Sequence, residues 1–200
     1  MNETPFSTPS PPEWGESRES TGTRIRRFLG EVLQTILIAG FLFLAVNLLT
    51  ARIRVEGISM EPNLHEGQFV IVNRLAYRWD LPERGDIVVF RFPLNPDRRF
   101  IKRVIGLPGD TIAIQSGLVF VNDEQLNEPY LAVTPRYSGS WTISENELFV
   151  LGDNRNNSSD SQNWGALPLE NIIGKAFLIY WPPPEAGVIP HYDLAVASEG

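Results

Sequence analysis

The chain has 200 residues, 42% hydrophobic and 20% charged, with a net charge of −7 and no cysteine. That length suits one folded domain with appendages. The acidic balance argues against a general nucleic-acid binder, and the lack of cysteine removes thiol catalysis, disulfides and iron–sulfur clusters. His65 and His191 are the only histidines, so a histidine-rich metal site is excluded and no metal or cofactor is expected.

Residues 1–23 are rich in Pro, Ser, Thr, Glu and Gly without apolar periodicity, which reads as a disordered tail. A basic stretch follows, Arg24 to Arg27, and then a run of Leu, Ile, Phe, Val and Ala from Phe28 to Thr50. The run approaches the ~20 residues that cross a bilayer as a helix. It starts late and lacks a small-x-small exit, so a cleaved signal peptide fits poorly. Its apolar residues are not confined to one face, so a core helix fits poorly too. An uncleaved signal-anchor is the expectation. The arginines on its N-terminal side favour a cytoplasmic N-terminus, and everything from about Ala51 onward would then lie outside the cytoplasm.

That outer part reads as β-rich. Gln68–Asn73, Asp86–Phe92, Phe100–Gly106, Thr111–Ile114, Leu118–Asn122, Glu147–Leu151 and Ile172–Trp181 are short and rich in Val, Ile and Phe, bounded by Gly, Pro, Asn and Asp. The expected fold is mainly β, an antiparallel β-sandwich or distorted barrel behind a single N-terminal transmembrane helix. The organisation is then a cytoplasmic tail over 1–27, an anchor over 28–50, an extracytoplasmic domain over 51–181 and a loose C-terminal tail over 182–200.

Two residues stand out chemically. Ser59, in Gly57-Ile58-Ser59-Met60-Glu61-Pro62, sits near a strand-like end where a hydroxyl can stand clear of a sheet. Lys102 is one of two lysines among 17 basic residues. In Phe100-Ile101-Lys102-Arg103-Val104-Ile105, alternation puts it on one face with Phe100 and Val104. Desolvation there favours a neutral amine, which arginine cannot supply. Serine with neutral lysine is a nucleophile and general-base pair. Each alone also has a plainer reading, a loop serine and a snorkelling lysine. A third segment, Gly152 to Ser161, is dense in short polar side chains that could orient an amine; Arg155 in its middle argues against a bound cation.

GISMEP, Arg84–Phe90, FIKRVIGLPGD (Phe100–Asp110) and GDNRNNSSDS (Gly152–Ser161), in this order, resemble the motifs of type I signal peptidases. These are membrane-bound serine proteases that remove signal peptides. The resemblance runs from the anchor to about Tyr180. It implies Ser59 as nucleophile, Lys102 as general base and Ser158 as the hydroxyl that orients the lysine. It implies a structural ion pair of Asp153 with Arg103, and Asp160 as a further structural acid. Met60, Val55, Leu64, Phe100 and Ile101 would form shallow pockets for small residues at P1 and P3 (the first and third residues before the scissile bond), an Ala-x-Ala preference. The implied partners are signal-peptide-bearing preproteins and the lipid bilayer, with no nucleic acid, and the chain is expected as a monomer. The implied location is a bacterial plasma membrane, or a thylakoid membrane in a cyanobacterium.

Some positions depart from the Gram-negative pattern. Gly57 stands where a serine hydroxyl often completes the oxyanion hole, leaving the Ser59 N–H and a second donor near Gly57 to be found. Asn156 stands where an aspartate is common. Little chain separates Asp110 from Gly152, so a large cap is not expected. His65 leaves a Ser-His-Asp reading open. A self-cleaving repressor protease would share the Ser–Lys chemistry, but the bilayer-length run opposes it. A membrane-tethered β-scaffold would explain the run and the strands but not the lysine on an apolar face.

Overall fold

A computed structural model of the protein describes residues 21–192 and Leu194. The expected tail over 1–20 lies outside the described residues, as do Asp193 and residues 195–200. The chain divides into two units after Ala45.

Helix α1 spans Thr21–Leu49. Its segment Arg24–Leu49 is long and apolar enough to cross a membrane. At 1.5 Å per residue it extends about 39 Å, more than the ~30 Å hydrocarbon core. Its large apolar side chains, Leu37 and Phe41 among them, are exposed.

The following strands are β1 (Thr50–Arg54), β2 (Phe69–Asn73), β3 (Ile87–Phe92), β4 (Asn95–Gly106), β5 (Thr111–Gln115), β6 (Leu118–Val121), β7 (Glu124–Gln125), β8 (Gly139–Thr142), β9 (Glu147–Leu151), β10 (Leu167–Pro168), β11 (Ile172–Trp181) and β12 (Gly187–Val188), with a one-turn helix α2 (Ser161–Trp164) after β9. The strands form two antiparallel sheets, as the alternating Val/Ile-rich segments predict. The larger sheet has the order β1-β2-β11-β3-β4-β9-β10, with β12 on β11; the smaller is β7-β6-β5-β8. Among the described residues no large cap is inserted; the small sheet occupies that stretch of chain.

Two features of the large sheet shape the site. β1 is an edge strand, paired only with β2. β4 pairs with β3 from Asn95 to Arg103, but with β9 only at Arg103, Val104 and Gly106. The first half of β4 therefore has one unpaired edge as well. Under these strands lies a core of Val55, Met60, Leu64, Val70, Val72, Ile87, Val89 and Ile101. A second core joins the small sheet to β9 through Ile105, Ile112, Ile114, Val121 and Phe149.

The structure differs from expectation after the last long strand. The expected loose tail instead packs back as far as it is described. β12 pairs with Leu178 and Ile179 of β11. Ile189 and Leu194 are buried in the two cores. Pro182, Pro183 and Pro184 turn the chain rather than release it, because the apolar residues behind them still find partners. β8 was also missed: Gly-Ser-Trp-Thr carries little β-branched content, yet Trp141 packs on Phe149 with ring centroids 4.9 Å apart.

Candidate active site

Ser59 lies in the turn between β1 and β2. Met60 and Leu64, one and five residues on, are fully buried. Each contributes about 1.5–3 kcal/mol by leaving water, which pins the turn to the core. The Leu64 N–H also bonds the Met60 carbonyl at 2.9 Å. Gly57 has φ +76° with open space around it. The backbone conformation, rather than crowding, requires glycine there. A side-chain hydroxyl is therefore absent from this position. Among the described residues the Ser59 N–H has no acceptor, while its carbonyl accepts from the Asn154 N–H at 3.0 Å.

Lys102 comes to Ser59 from β4, 43 residues away in sequence. Its Nζ is 2.8 Å from Ser59 Oγ and 2.9 Å from the Ile101 carbonyl. The residue is only 4% exposed. Burial pushes its pKa down from 10.5 to about 8, against the opposing pull of the Asp160 and Asp153 carboxylates. At pH 7 about one such amine in ten carries a free lone pair.

The segment after β9 closes the site from beneath. Arg103 Nε and Nη2 donate to the two oxygens of Asp153 at 2.8 and 2.7 Å, both side chains being buried. The Arg103 guanidinium also stacks 4.1 Å over the Tyr130 ring. Asn63 Nδ2 donates to Asp153 at 2.9 Å, tying this pair to the turn that carries Ser59. Asp160 caps α2 and accepts from the Gly152 N–H at 3.0 Å. Burial raises its pKa, opposed by hydrogen bonding and by Lys102.

Ser158 reaches the site but is not bonded to the amine. Its buried Oγ has no partner at normal hydrogen-bond geometry, although it lies near enough to Asp160 to favour the charged carboxylate. Lys102 is held instead by Ser59 and the Ile101 carbonyl. Ser158 also depends on Gly152: a Cβ there would fall 2.2 Å from Ser158 Oγ and 2.5 Å from the Ser59 carbonyl oxygen. Gly152→Ala should therefore push the two serines apart. Displacements of about 1 Å cost on the order of 100-fold in rate. A peptide-cleavage assay should show that loss, and a rate within twofold of the parent would mean that the loop absorbs the methyl group.

A cavity of about 600 Å³ opens between the two unpaired edges and reaches Ser59 and Lys102. Phe100 and Ile101 line it. Val55, Met60 and Leu64 are instead core residues; they can back a pocket without opening it. The lining residues that sequence reasoning missed include Arg52, Arg54, Arg98 and Arg99. His65 is exposed, with its ring 4.0 Å from Glu61, and does not line the cavity.

Also missed was the support of the polar loop. Arg155, fully buried, donates to both oxygens of Glu128, one at 3.0 Å, and Nη2 donates to Tyr130 Oη at 3.0 Å. Tyr130 in turn donates to Glu128 at 2.6 Å. Asn156, with no charge to pair, bridges backbone instead. It accepts from the Arg136 N–H at 2.9 Å and donates to the Thr134 carbonyl at 3.0 Å.

A buried amine on a serine hydroxyl, behind an open groove, can serve as base and nucleophile toward a bound acyl group. The comparisons with known proteins agree. The family described as signal peptidase, peptidase S26, matches residues 27–181. The probable signal peptidase I-2 of Synechocystis is 40% identical over 166 residues, covering 80% of this chain and 76% of that one. The signal peptidase I of Leptolyngbya laminosa is 39% identical over 168 residues, covering 80% and 83%. A chloroplastic thylakoidal processing peptidase of Arabidopsis thaliana is 35% identical over 153 residues, covering 71% and 45%. The chain belongs to the signal peptidase family, peptidase S26, and is an enzyme of that type. With its apolar N-terminal helix, it is a membrane protein.

Proposed function

We propose that the chain cleaves signal peptides from preproteins after small residues, with Ser59 as nucleophile and Lys102 as general base. The observation that carries this is the 2.8 Å contact between a buried amine of lowered pKa and the Ser59 hydroxyl. An extended precursor segment enters between β1 and β4 and adds its backbone to their unpaired edges. Neutral Lys102 takes the Ser59 proton as Oγ attacks the scissile carbonyl. The free Ser59 N–H donates to the developing oxyanion. Collapse forms the acyl-enzyme, and the Lys102 ammonium gives its proton to the leaving amine. The amine, neutral again, deprotonates the water that releases the signal peptide. Asp153, Arg103 and Asp160 hold the frame, and Ser158 acts through Asp160, whose charged form it favours.

The P1 preference follows from the packing. Phe100 and Ile101 wall the groove, and Val55, Met60 and Leu64 fill the core behind it. A leucine at P1 would have to displace them, an overpacking of about 1–3 kcal/mol. The anchor holds the enzyme at the surface where its substrates are tethered, raising their effective concentration. The proposed setting is the plasma or thylakoid membrane, with the domain on the side away from the cytoplasm.

The test is cleavage of a preprotein in detergent. Wild type should process Ala at P1 at least about 10-fold faster than Leu, and Ser59→Ala should process neither. Processing by Ser59→Ala, or equal rates for Ala and Leu, would contradict the assignment.

A further inference from the structure

The cavity that reaches Ser59 is lined by Arg52, Arg54, Arg98 and Arg99, opposed only by Glu56 and Asp97. This local excess of positive charge runs against the net charge of −7 of the whole chain. Among the described residues none of the four forms an ion pair, whereas Arg84, Arg103 and Arg155 each hold a carboxylate. The four therefore do not serve the fold by pairing. Like charges gathered on facing strands repel one another until an anion arrives.

Their placement says where that anion would sit. Alternation puts Arg98, Phe100 and Lys102 on one side of β4. The Arg98 guanidinium and the Lys102 amine lie 5.1 and 5.3 Å from the same Phe100 ring centroid. Arg98 is four positions behind Lys102, and their charged groups, sharing that ring, lie no more than about 10 Å apart. Its neighbours across the cavity, Arg52 and Arg54, are on the facing edge of β1. A precursor lying extended in the groove, with P1 at the Ile101 end, passes between these guanidiniums over the residues just upstream. P1 and P3 occupy the apolar side with Arg98, and P2 and P4 alternate toward the opposite side of β4, where Arg99 also lines the cavity.

We infer that this arginine-lined groove selects precursors carrying a carboxylate side chain within about five residues before the scissile bond. The inference rests on the signal-peptide-cleavage reading and narrows its substrate class to acidic exit segments. Exposed charge pairs are individually weak, so the preference comes from several guanidiniums acting together and falls with salt.

The experiment uses the full chain in non-ionic detergent, free of anionic lipid. Peptides with Ala at P1 and P3 carry Glu, Gln or Lys at P2 or at P4. At low salt Glu should be favoured over Gln by about fivefold in kcat/KM at one or both positions, and Lys should fall below Gln. The Glu/Gln ratio should approach one near about 0.5 M salt. In Arg98→Glu/Arg99→Glu the order should invert, with Lys above Gln. Ratios are taken within each variant, so cleavage of its own Gln peptide certifies that it is folded. Equal Glu and Gln rates at both positions in wild type would overturn the inference while leaving the cleavage reading intact. A failure of wild type to cut any peptide would instead count against that reading. If Glu and Gln are equal in detergent but Arg52→Gln/Arg54→Gln loses binding to phosphatidylglycerol vesicles, the arginines serve lipid headgroups and the inference is likewise overturned.

Discussion

Lys102→Met should be more stable than wild type and lose the acylation step. The wild-type amine is buried and its pKa falls from 10.5 to about 8. At 1.36 kcal/mol per unit, that is a folding cost of about 3 kcal/mol while the group is charged in both states. The sign is fixed by proton uptake. Between pH 8 and 10.5 the unfolded chain binds more protons than the folded one, so wild-type stability rises with pH across that window. The methionine variant lacks this term, so its advantage is largest below pH 8 and fades toward pH 10.5. Losing the two hydrogen bonds to Ser59 and the Ile101 carbonyl returns about 2 kcal/mol, leaving a net gain of about 1 kcal/mol at pH 7. The activity loss should be at least about 10⁴-fold, as for removal of one member of a concerted pair. Lys102→Arg should lose as much, since guanidinium keeps its proton. Thermal melts at pH 7 and 10, with single-turnover cleavage, check both halves. A destabilised Lys102→Met at pH 7 would mean that the amine is not desolvated in solution.

Glu128→Ala should cause the largest loss of stability at the site. It leaves the Arg155 guanidinium buried with only Tyr130 and the Gly152 carbonyl for partners. An uncompensated buried charge costs about 3–5 kcal/mol, a large share of the 5–15 kcal/mol that holds a typical domain. The segment from Gly152 to Asp160 should loosen with it, and cleavage should fall. Glu128→Leu/Arg155→Met removes both charges and should recover most of the stability. Chemical denaturation of the three proteins measures this directly. If the double variant is no better than Glu128→Ala, the pair contributes more than mutual compensation.

These two cases divide what was legible from what was not. The alternation of Phe100, Lys102 and Val104 showed which side of the strand the lysine shares, but it left a snorkelling lysine equally open; that Lys102 is buried is read from the structure, where both faces of this stretch are covered. That Lys102 meets Ser59 could not be read from periodicity; it came from the resemblance of the ordered motifs, and the 2.8 Å contact agrees with it. Glu128 and Tyr130 sit in an irregular stretch with no pattern, so nothing local marks them as partners of Arg155. The packing of Tyr192 over Arg103, with the ring centroid 5.4 Å from the guanidinium, was hidden for the same reason. The long β-strands had clear apolar composition and were found to within a few residues. β7, β10 and β12 are two residues each, held by neighbours that sequence alone does not place. The free edges of β1 and β4, which make the groove, are properties of topology and were invisible until the strands were ordered.

The central claim is that Lys102 is the base that activates Ser59. It is tested most directly by the pH dependence of single-turnover cleavage in wild type, taken from about pH 6 to 10 across the range where a lysine of lowered pKa titrates. The rate should rise with pH as one group loses a proton, with a midpoint near 8, the value to which burial pushes Lys102. The same profile should persist in His65→Gln. A rate that is flat across the range, or a midpoint near that of histidine that disappears in His65→Gln, would contradict the account.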